Sequence, residues 1–235
     1  MVFNEGCFLC AEELVYSQSS DEKTCYYCGE LFYSNVCCPN NHFVCDSCHS
    51  SSAKDLIVRT CLQSTSIDPI ELANILMKSP QVKMHGPEHH FLVPAVLLTG
   101  YFNSRKDNVN KKAAILIAQK RADSVPGGFC GTHGNCGAAV GTGIFISIIT
   151  GSTPLAEEEW KLSNEMTGHS LLAIAQQGGP RCCKRDSFTA IYVAIDYLAK
   201  HFNVVLPKNE ISCSFSHRNK QCKFSDCQYY QNISA

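Results

Sequence analysis

No basic stretch and no apolar core precede Cys7, so residues 1–6 offer nothing that reads as a secretory signal. No run reaches the roughly 18 apolar residues that a membrane-spanning helix needs; the longest, Ala138 to Ile149, is broken by Gly141 and Gly143. Charge of either sign is also in short supply. The formal net charge is -1, and Lys23 is the only lysine or arginine before Lys54. These absences exclude a membrane span and remove any global pull towards nucleic acid or an anionic surface. The expectation that follows is a soluble cytoplasmic protein, where thiols stay reduced.

What the chain has in excess is cysteine, 16 in 235 residues, gathered in short knots. A disulfide framework is the rival use of so many thiols, but it serves chains too small to build a core. Here 45% of the residues are hydrophobic over a length expected to form one or two domains. Metal binding is therefore the expected use.

The spacings fall into two groups. The first contains Cys7-x2-Cys10, Cys25-x2-Cys28 and Cys38-x3-His42-x2-Cys45-x2-Cys48. A Cys-x2-Cys pair puts two thiolates on one tight turn facing one ion, and two such knuckles complete a tetrahedral site. Cys7, Cys10, Cys25, Cys28, Cys38, His42, Cys45 and Cys48 give eight donors with Cys37 as a spare, enough for about two zinc ions. Sequential filling would make a ribbon of four thiolates followed by a site of three cysteines and His42. A cross-brace would instead put Cys7, Cys10, Cys38 and His42 on one ion and Cys25, Cys28, Cys45 and Cys48 on the other.

The metal in this module is expected to be structural, because so short a segment buries little and a closed four-ligand site leaves no position for substrate. Tyr26, Tyr27, Phe32, Tyr33 and Phe43 could stack on nucleic acid, but with so few cations nearby core packing is the expected fate of those rings.

From residue 53 the pattern is helical. Helices are expected over Lys54–Gln63, from the Asp68 cap and Pro69 to Met77, over Ala113–Ala122, Ala138–Ile149, Glu157–Gln177 and Phe188–Phe202. The stripe Trp160, Leu171, Leu172, Ile174 should face the core, as should Ile191, Ala194, Ile195 and Leu198. The expected fold is mainly α: a zinc-knuckle module over residues 1–52, then an all-helical, cysteine-rich metal-site domain over 53–235.

Three loop motifs in that domain carry chemistry. Gly127 to Gly137 brings Cys130, His133 and Cys136 to a helix N-terminus, where the dipole favours a thiolate. Gly178 to Arg185 holds the adjacent Cys182 and Cys183, which point in different directions, so one can join a metal and leave the other free. Arg181, Lys184 and Arg185 around them should lower thiol pKa values and attract an anion. The run from His85 through Glu88, His89 and His90 offers imidazoles and a carboxylate for proton transfer or a further metal.

The tail adds Cys213, Cys222 and Cys227, three thiols without a fourth, with His217 between the first two. Uneven gaps and the lack of any Cys-x2-Cys knuckle fit an iron–sulfur cluster, a 4Fe–4S centre among the types, held by Cys130, Cys136, Cys182, Cys213, Cys222 and Cys227. Zinc with His217 as fourth ligand is the alternative for the tail.

Two resemblances bear on this domain. At HGPEHHFLVPAVLL, CGTHGNCGAAVGTGI and GGPRCCKR the chain resembles a cysteine-rich family of unknown function from anaerobic bacteria and archaea, over roughly residues 55 to 230. That resemblance implies an anaerobic setting and a site at His85, Glu88, His89, His90, Cys130, Cys136, Cys182 and Cys183. The run Cys136-Gly-Ala-Ala is also similar to a redox-active family with a Cys-Gly-Ala motif. The stretch Cys25 to Cys48 resembles the first three ligand pairs of a RING finger, but the last pair is missing and Cys7-x2-Cys10 lies in front instead, so ubiquitin-ligase function is not inferred.

These readings converge on an iron–sulfur enzyme of redox or sulfur-transfer chemistry, with His85, Glu88, His89, His90 and Cys183 catalytic. Its partner would be a small molecule or a sulfur- or electron-transfer protein. A zinc-stabilised binding or delivery protein is the alternative, and an RNA-modifying protein is third, since nucleic acid is not favoured by the charge.

Overall fold

A computed structural model describes residues 7, 9–10, 12–45, 48–49 and 52–231. The N-terminal part is a two-stranded antiparallel hairpin, β1 (Val15–Thr24) and β2 (Leu31–Cys37). Val15 lies opposite Cys37 and Thr24 opposite Leu31, with an irregularity between Tyr16 and Asp21. Its turn is the Cys25–Cys28 knuckle itself: Gly29 adopts φ +69 and donates to the Cys25 carbonyl at 2.9 Å, while the Cys25 amide reaches the Glu30 carbonyl at 2.9 Å. The aromatic rings divide. Tyr27 is buried at 2% exposure, whereas Tyr33 is 77% exposed.

The rest is helical: α1 (Ala53–Gln63), α2 (Pro69–Lys78), α3 (Glu88–Ser104), α4 (Asn108–Ala122), the short α5 (Phe129–Thr132), α6 (Gly137–Thr150), α7 (Glu158–Gln176) and α8 (Cys183–Phe202), then a tail with 3-10 turns at Ser216–Arg218 and Phe224–Asp226. Among the described residues no helix is long and apolar enough to cross a membrane. Local signals set several boundaries. Ser52 caps α1 by accepting from the Asp55 amide, and Asp68 caps α2 by accepting from Ile70 and Glu71, with Pro69 in the first turn.

The hub is α3, which touches α1, α2, α4, α6 and α8. The periodicity of the sequence shows its start at Pro87 but not its run to Ser104. It is buried on every side, from Phe91 through Leu98, so no polar face alternates with an apolar one, and Pro94 lies inside it. Gly141 lets α6 approach it: a Cβ there would meet Pro94 Cδ at 2.8 Å and the His90 carbonyl at 3.0 Å.

Three expectations need correction. α4 begins at Asn108 rather than Ala113, because the Asp107 carboxylate caps it through the Asn110 amide. α8 begins at Cys183 rather than Phe188, because its basic first turn is buried. The stripe on α7 does not face the core as a unit: Trp160 and Leu172 are 51% and 60% exposed, and Met166 and Ser170 are what the helix buries. By contrast Ile191, Ala194, Ile195 and Leu198 of α8 are all in the core.

Candidate metal centres

The eight N-terminal donors form two groups whose ligand atoms all lie within 4.8 Å of one another: Cys7, Cys10, Cys38 and His42, and Cys25, Cys28, Cys45 and Cys48. This is the cross-brace, not the sequential ribbon. In the first group the sulfurs of Cys10 and Cys38 are 3.6 Å apart, and His42 Nδ1 lies 3.6 Å from Cys7 Sγ and 3.4 Å from Cys38 Sγ. In the second the Cys28 and Cys45 sulfurs are 3.9 Å apart. A tetrahedral ion with thiolates at about 2.3 Å puts neighbouring sulfurs about 3.8 Å apart, so both groups have the span of a single ion.

Around them are the donors that thiolates need. The amides of Leu9, Asn40 and Cys45 point at Cys7, Cys38 and Cys25 Sγ at 3.4, 3.2 and 3.4 Å, and Arg59 Nη1 of α1 at Cys48 Sγ, 3.5 Å away. Arg59 and Asn40 are outside the ligand pattern, and no spacing rule would have found them. The second group is fully inside: Cys25, Cys28, Cys45 and Cys48 share the hydrophobic core of the helices, and Gln81 Nε2 donates to the carbonyls of Cys48 and His49 at 3.0 and 2.9 Å. Burial, then the neighbouring Cys25, pushes the Cys28 thiol up to about 11. Four thiols in so close a space are at ease only around a cation.

The seven thiols of the second half separate into two places. Cys182, Cys213, Cys222 and Cys227 line one small cavity of about 20 Å³, walled by Met84, Phe188, Phe215 and Tyr229. No three of these sulfurs come within 4.8 Å of one another, and His217 does not join them in such a group. The amides of Phe215 and Phe224 point at Cys213 and Cys222 Sγ at 3.4 and 3.3 Å, and Asn219 Nδ2 at Cys182 Sγ at 3.5 Å.

Cys130, Cys136 and Cys183 lie elsewhere, lining a cavity of about 310 Å³ with His85, His89, His90, Arg181 and Asp186. The adjacent Cys182 and Cys183 thus face different spaces, Cys182 as the extended cap of α8 and Cys183 as its first residue. The two loops that carry Cys136 and Cys183 meet at helix starts, and Gly137 makes room for His90, whose ring a Cβ there would overlap.

Cations and helix-start amides do act to lower these thiols, Arg181 on Cys183 and the Ala138 and Ala139 amides on Cys136, but burial outweighs them. Burial, then the Asp186 carboxylate, pushes Cys136 up to about 11; burial pushes Cys183 up to about 12 and raises Cys182 and Cys213 as well. The cations are used otherwise. Lys184 is buried, with Nζ on the carbonyls of Met77 and Val82 at 2.6 and 3.1 Å and over the Phe215 ring at 4.5 Å, and burial lowers its pKa to about 7. Arg185 pairs with Asp186 at 3.1 Å and holds the Gly178 and Pro180 carbonyls.

The histidine run also divides. Glu88 is buried and accepts from the Lys83 amide at 2.7 Å. His89 spends both ring nitrogens, on Ser187 Oγ at 3.2 Å and the Lys83 carbonyl at 2.9 Å; burial, then Lys184, lowers its pKa to about 3, so it is neutral. His90 Nδ1 donates to the Val125 carbonyl at 3.2 Å. His85 Nε2 lies between Asn219 Oδ1 and Gln221 Oε1 at 3.3 and 3.1 Å, which makes it the protonated nitrogen, and its Nδ1 is buried with no hydrogen-bond partner. Asn219 therefore ties His85 to Cys182. It lies within the tail run of thiols, and only its position in that run could have drawn notice.

The chain belongs to the Family of unknown function (DUF5714), whose model matches residues 57–230 and so covers both thiol cavities but none of the ligands of the two N-terminal metal groups. No curated protein and no solved structure matches the chain.

Proposed function

We propose that this is an iron–sulfur enzyme with two structural zinc ions: zinc at the cross-braced groups, and a cluster held by Cys182, Cys213, Cys222 and Cys227. Cys183, Cys130, Cys136, His85 and His90 in the adjoining cavity would be the place of redox or sulfur-transfer chemistry. A mixed thiolate and imidazole set on Cys-x2-Cys knuckles, at single-ion span, is what zinc takes.

The cluster reading is carried by one observation: four thiols line one cavity, three of them with N–H donors aimed at sulfur, yet no three of them converge to the span of a single ion. A cluster sets its own iron and sulfide between the thiolates and so holds them further apart than one ion does. Its contribution would be one-electron transfer. Amide donors to the sulfurs and the apolar wall of Phe188, Phe215 and Tyr229 are the means by which a protein sets the potential of such a group.

The chain's own residues supply the rest. Cys183, joined to Cys182 by one peptide bond, brings a thiol of the second cavity next to the first. His85 is oriented by Asn219 and Gln221, and Asn219 also reaches Cys182, so a proton at His85 and charge at Cys182 are felt by one another. Glu88 accepts from the Lys83 amide and His89 joins the Lys83 carbonyl to Ser187 of α8, so the two hold the loop 83–88 in place.

Anaerobic purification with iron, zinc and sulfide analysis and a visible spectrum tests this. The expected protein is brown and carries two zinc ions, and Cys222→Ser bleaches it without loss of zinc. Colourless protein that binds no iron ends the cluster reading and leaves a zinc-stabilised binding or delivery protein. Because the cavity is only about 20 Å³, loading must displace the tail turns, and hydrogen exchange over 213–227 should differ between bare and reconstituted protein.

A further inference from the structure

We infer that the cavity of Cys130, Cys136 and Cys183 receives an organic anion, its carboxylate or phosphate head held by Arg181 and its apolar body lying along α7. The inference rests on the proposed function only in taking this occupant as a substrate.

Charge gives the first half. The groups facing the cavity are Arg181, Asp186, the three imidazoles and the three thiols. Asp186 is paired with Arg185 at 3.1 Å, both side chains being about 5% exposed, and Lys184 is turned away to the carbonyls of Met77 and Val82. His89 has both ring nitrogens engaged, on Ser187 Oγ and the Lys83 carbonyl. Arg181 remains, exposed and without a hydrogen-bond or ion-pair partner among the described residues. A cavity whose single uncompensated charge is a guanidinium selects an anion, and the planar fork matches a carboxylate or phosphate with two parallel hydrogen bonds.

Shape gives the second half. A further space of about 590 Å³ adjoins the first and shares Cys130, Cys136, Arg181 and Asp186 with it, while Leu171, Ile174 and Ala175 of α7 form its apolar wall. Both volumes suit a small organic molecule and exceed what an inorganic ion needs. A Cβ added at Gly128, Gly131 or Gly179 meets nothing within 4 Å, so backbone lines this side and leaves it open. Arg181 and the two shared thiols stand where the two spaces join. A ligand with its head there puts the adjacent atoms beside Cys130 and Cys136 and its body against α7.

Calorimetry on the full chain, prepared anaerobically, tests this with octanoate, octyl phosphate, octanol and acetate. Either octyl anion should bind at least tenfold more tightly than octanol or acetate, and the ranking of the two tells carboxylate from phosphate. R181Q should remove the preference over octanol while metal content and spectrum stay unchanged, since Arg181 is exposed and holds nothing in place. I174D should weaken the octyl ligands and leave acetate as it was. The inference is overturned if neither octyl anion binds at millimolar concentration, if octanol binds as well as octanoate, or if R181Q binds octanoate like the parent. Arg181-dependent binding in colourless protein would sink the cluster and leave this site standing.

Discussion

The two halves of the molecule treat thiols in opposite ways. In the N-terminal module eight donors converge in two groups with sulfurs 3.6 and 3.9 Å apart, whereas in the second half four thiols surround one cavity without converging and three more line another. The difference lies in the backbone. Tight turns such as Cys25–Cys28, closed by Gly29 at positive φ, present two sulfurs to one point in space. Cysteines at helix starts and on an extended tail are placed by the packing of whole elements, which sets them around a space rather than on a point. Local geometry builds a site for one ion, and tertiary geometry builds a vessel.

The largest effect should come from the buried N-terminal group. Cys45→Ser removes a ligand from a site whose metal holds the module together, in a class where binding is worth on the order of 10 kcal/mol. Zinc should fall by one ion per chain and the module should become open to protease. Because this group shares the core with α1–α3, the helices should also melt at lower temperature; unchanged melting would mean that the two halves are independent.

Cobalt sharpens the contrast between ion site and vessel. Titrated into metal-free protein, about two equivalents should give the strong absorption of tetrahedral thiolate coordination, and further cobalt should add none of it. A third equivalent with the same spectrum, lost in Cys213→Ser, would show that the tail thiols converge after all.

Acid should act through the helical half by way of His89. Its folded pKa, about 3, lies below the usual 6.5 or so of an unfolded chain, so its contribution to stability is complete above pH 6.5 and is lost as pH falls towards 3. Urea denaturation at several pH values should show stability falling by up to about 1.4 kcal/mol per unit over that window. His89→Gln should flatten that slope; an equal slope in the variant would assign the loss to the metal ligands instead.

The smallest effect tests support around the ligands. Arg59 donates to Cys48 Sγ from α1, and outer partners of this kind are worth about 10–100-fold in metal affinity. Competition with a chelator should show Arg59→Gln releasing one of the two zinc ions more readily, with the fold intact.

Much of the metal module could be read from spacing, because a Cys-x2-Cys turn is a local object and its eight donors need no knowledge of the fold. The same holds for the helices with caps, at Ser52, Asp68 and Pro69, where side chains complete the backbone's own hydrogen bonds. Periodicity failed where burial was total: α3 has no polar face to mark it. It failed on α7 for the opposite reason, because apolar Trp160 and Leu172 lie at the surface.

The sequence by itself determined which residues could ligate, and that the first set suits single ions. Only the tertiary structure decided how the knuckles pair, since spacing allows ribbon and cross-brace alike and the choice belongs to the hairpin that carries Cys25 and Cys28 back to Cys45 and Cys48. It also decided that Cys182 joins the tail while Cys183 joins Cys130 and Cys136, because neighbouring side chains at a helix start leave in different directions and what each meets is set by segments far away in the chain. Burial, finally, sets charge: Lys184 and Arg185 look like a basic surface in one dimension, yet the packing of α8 turns both inward and leaves Arg181 alone to face the cavity.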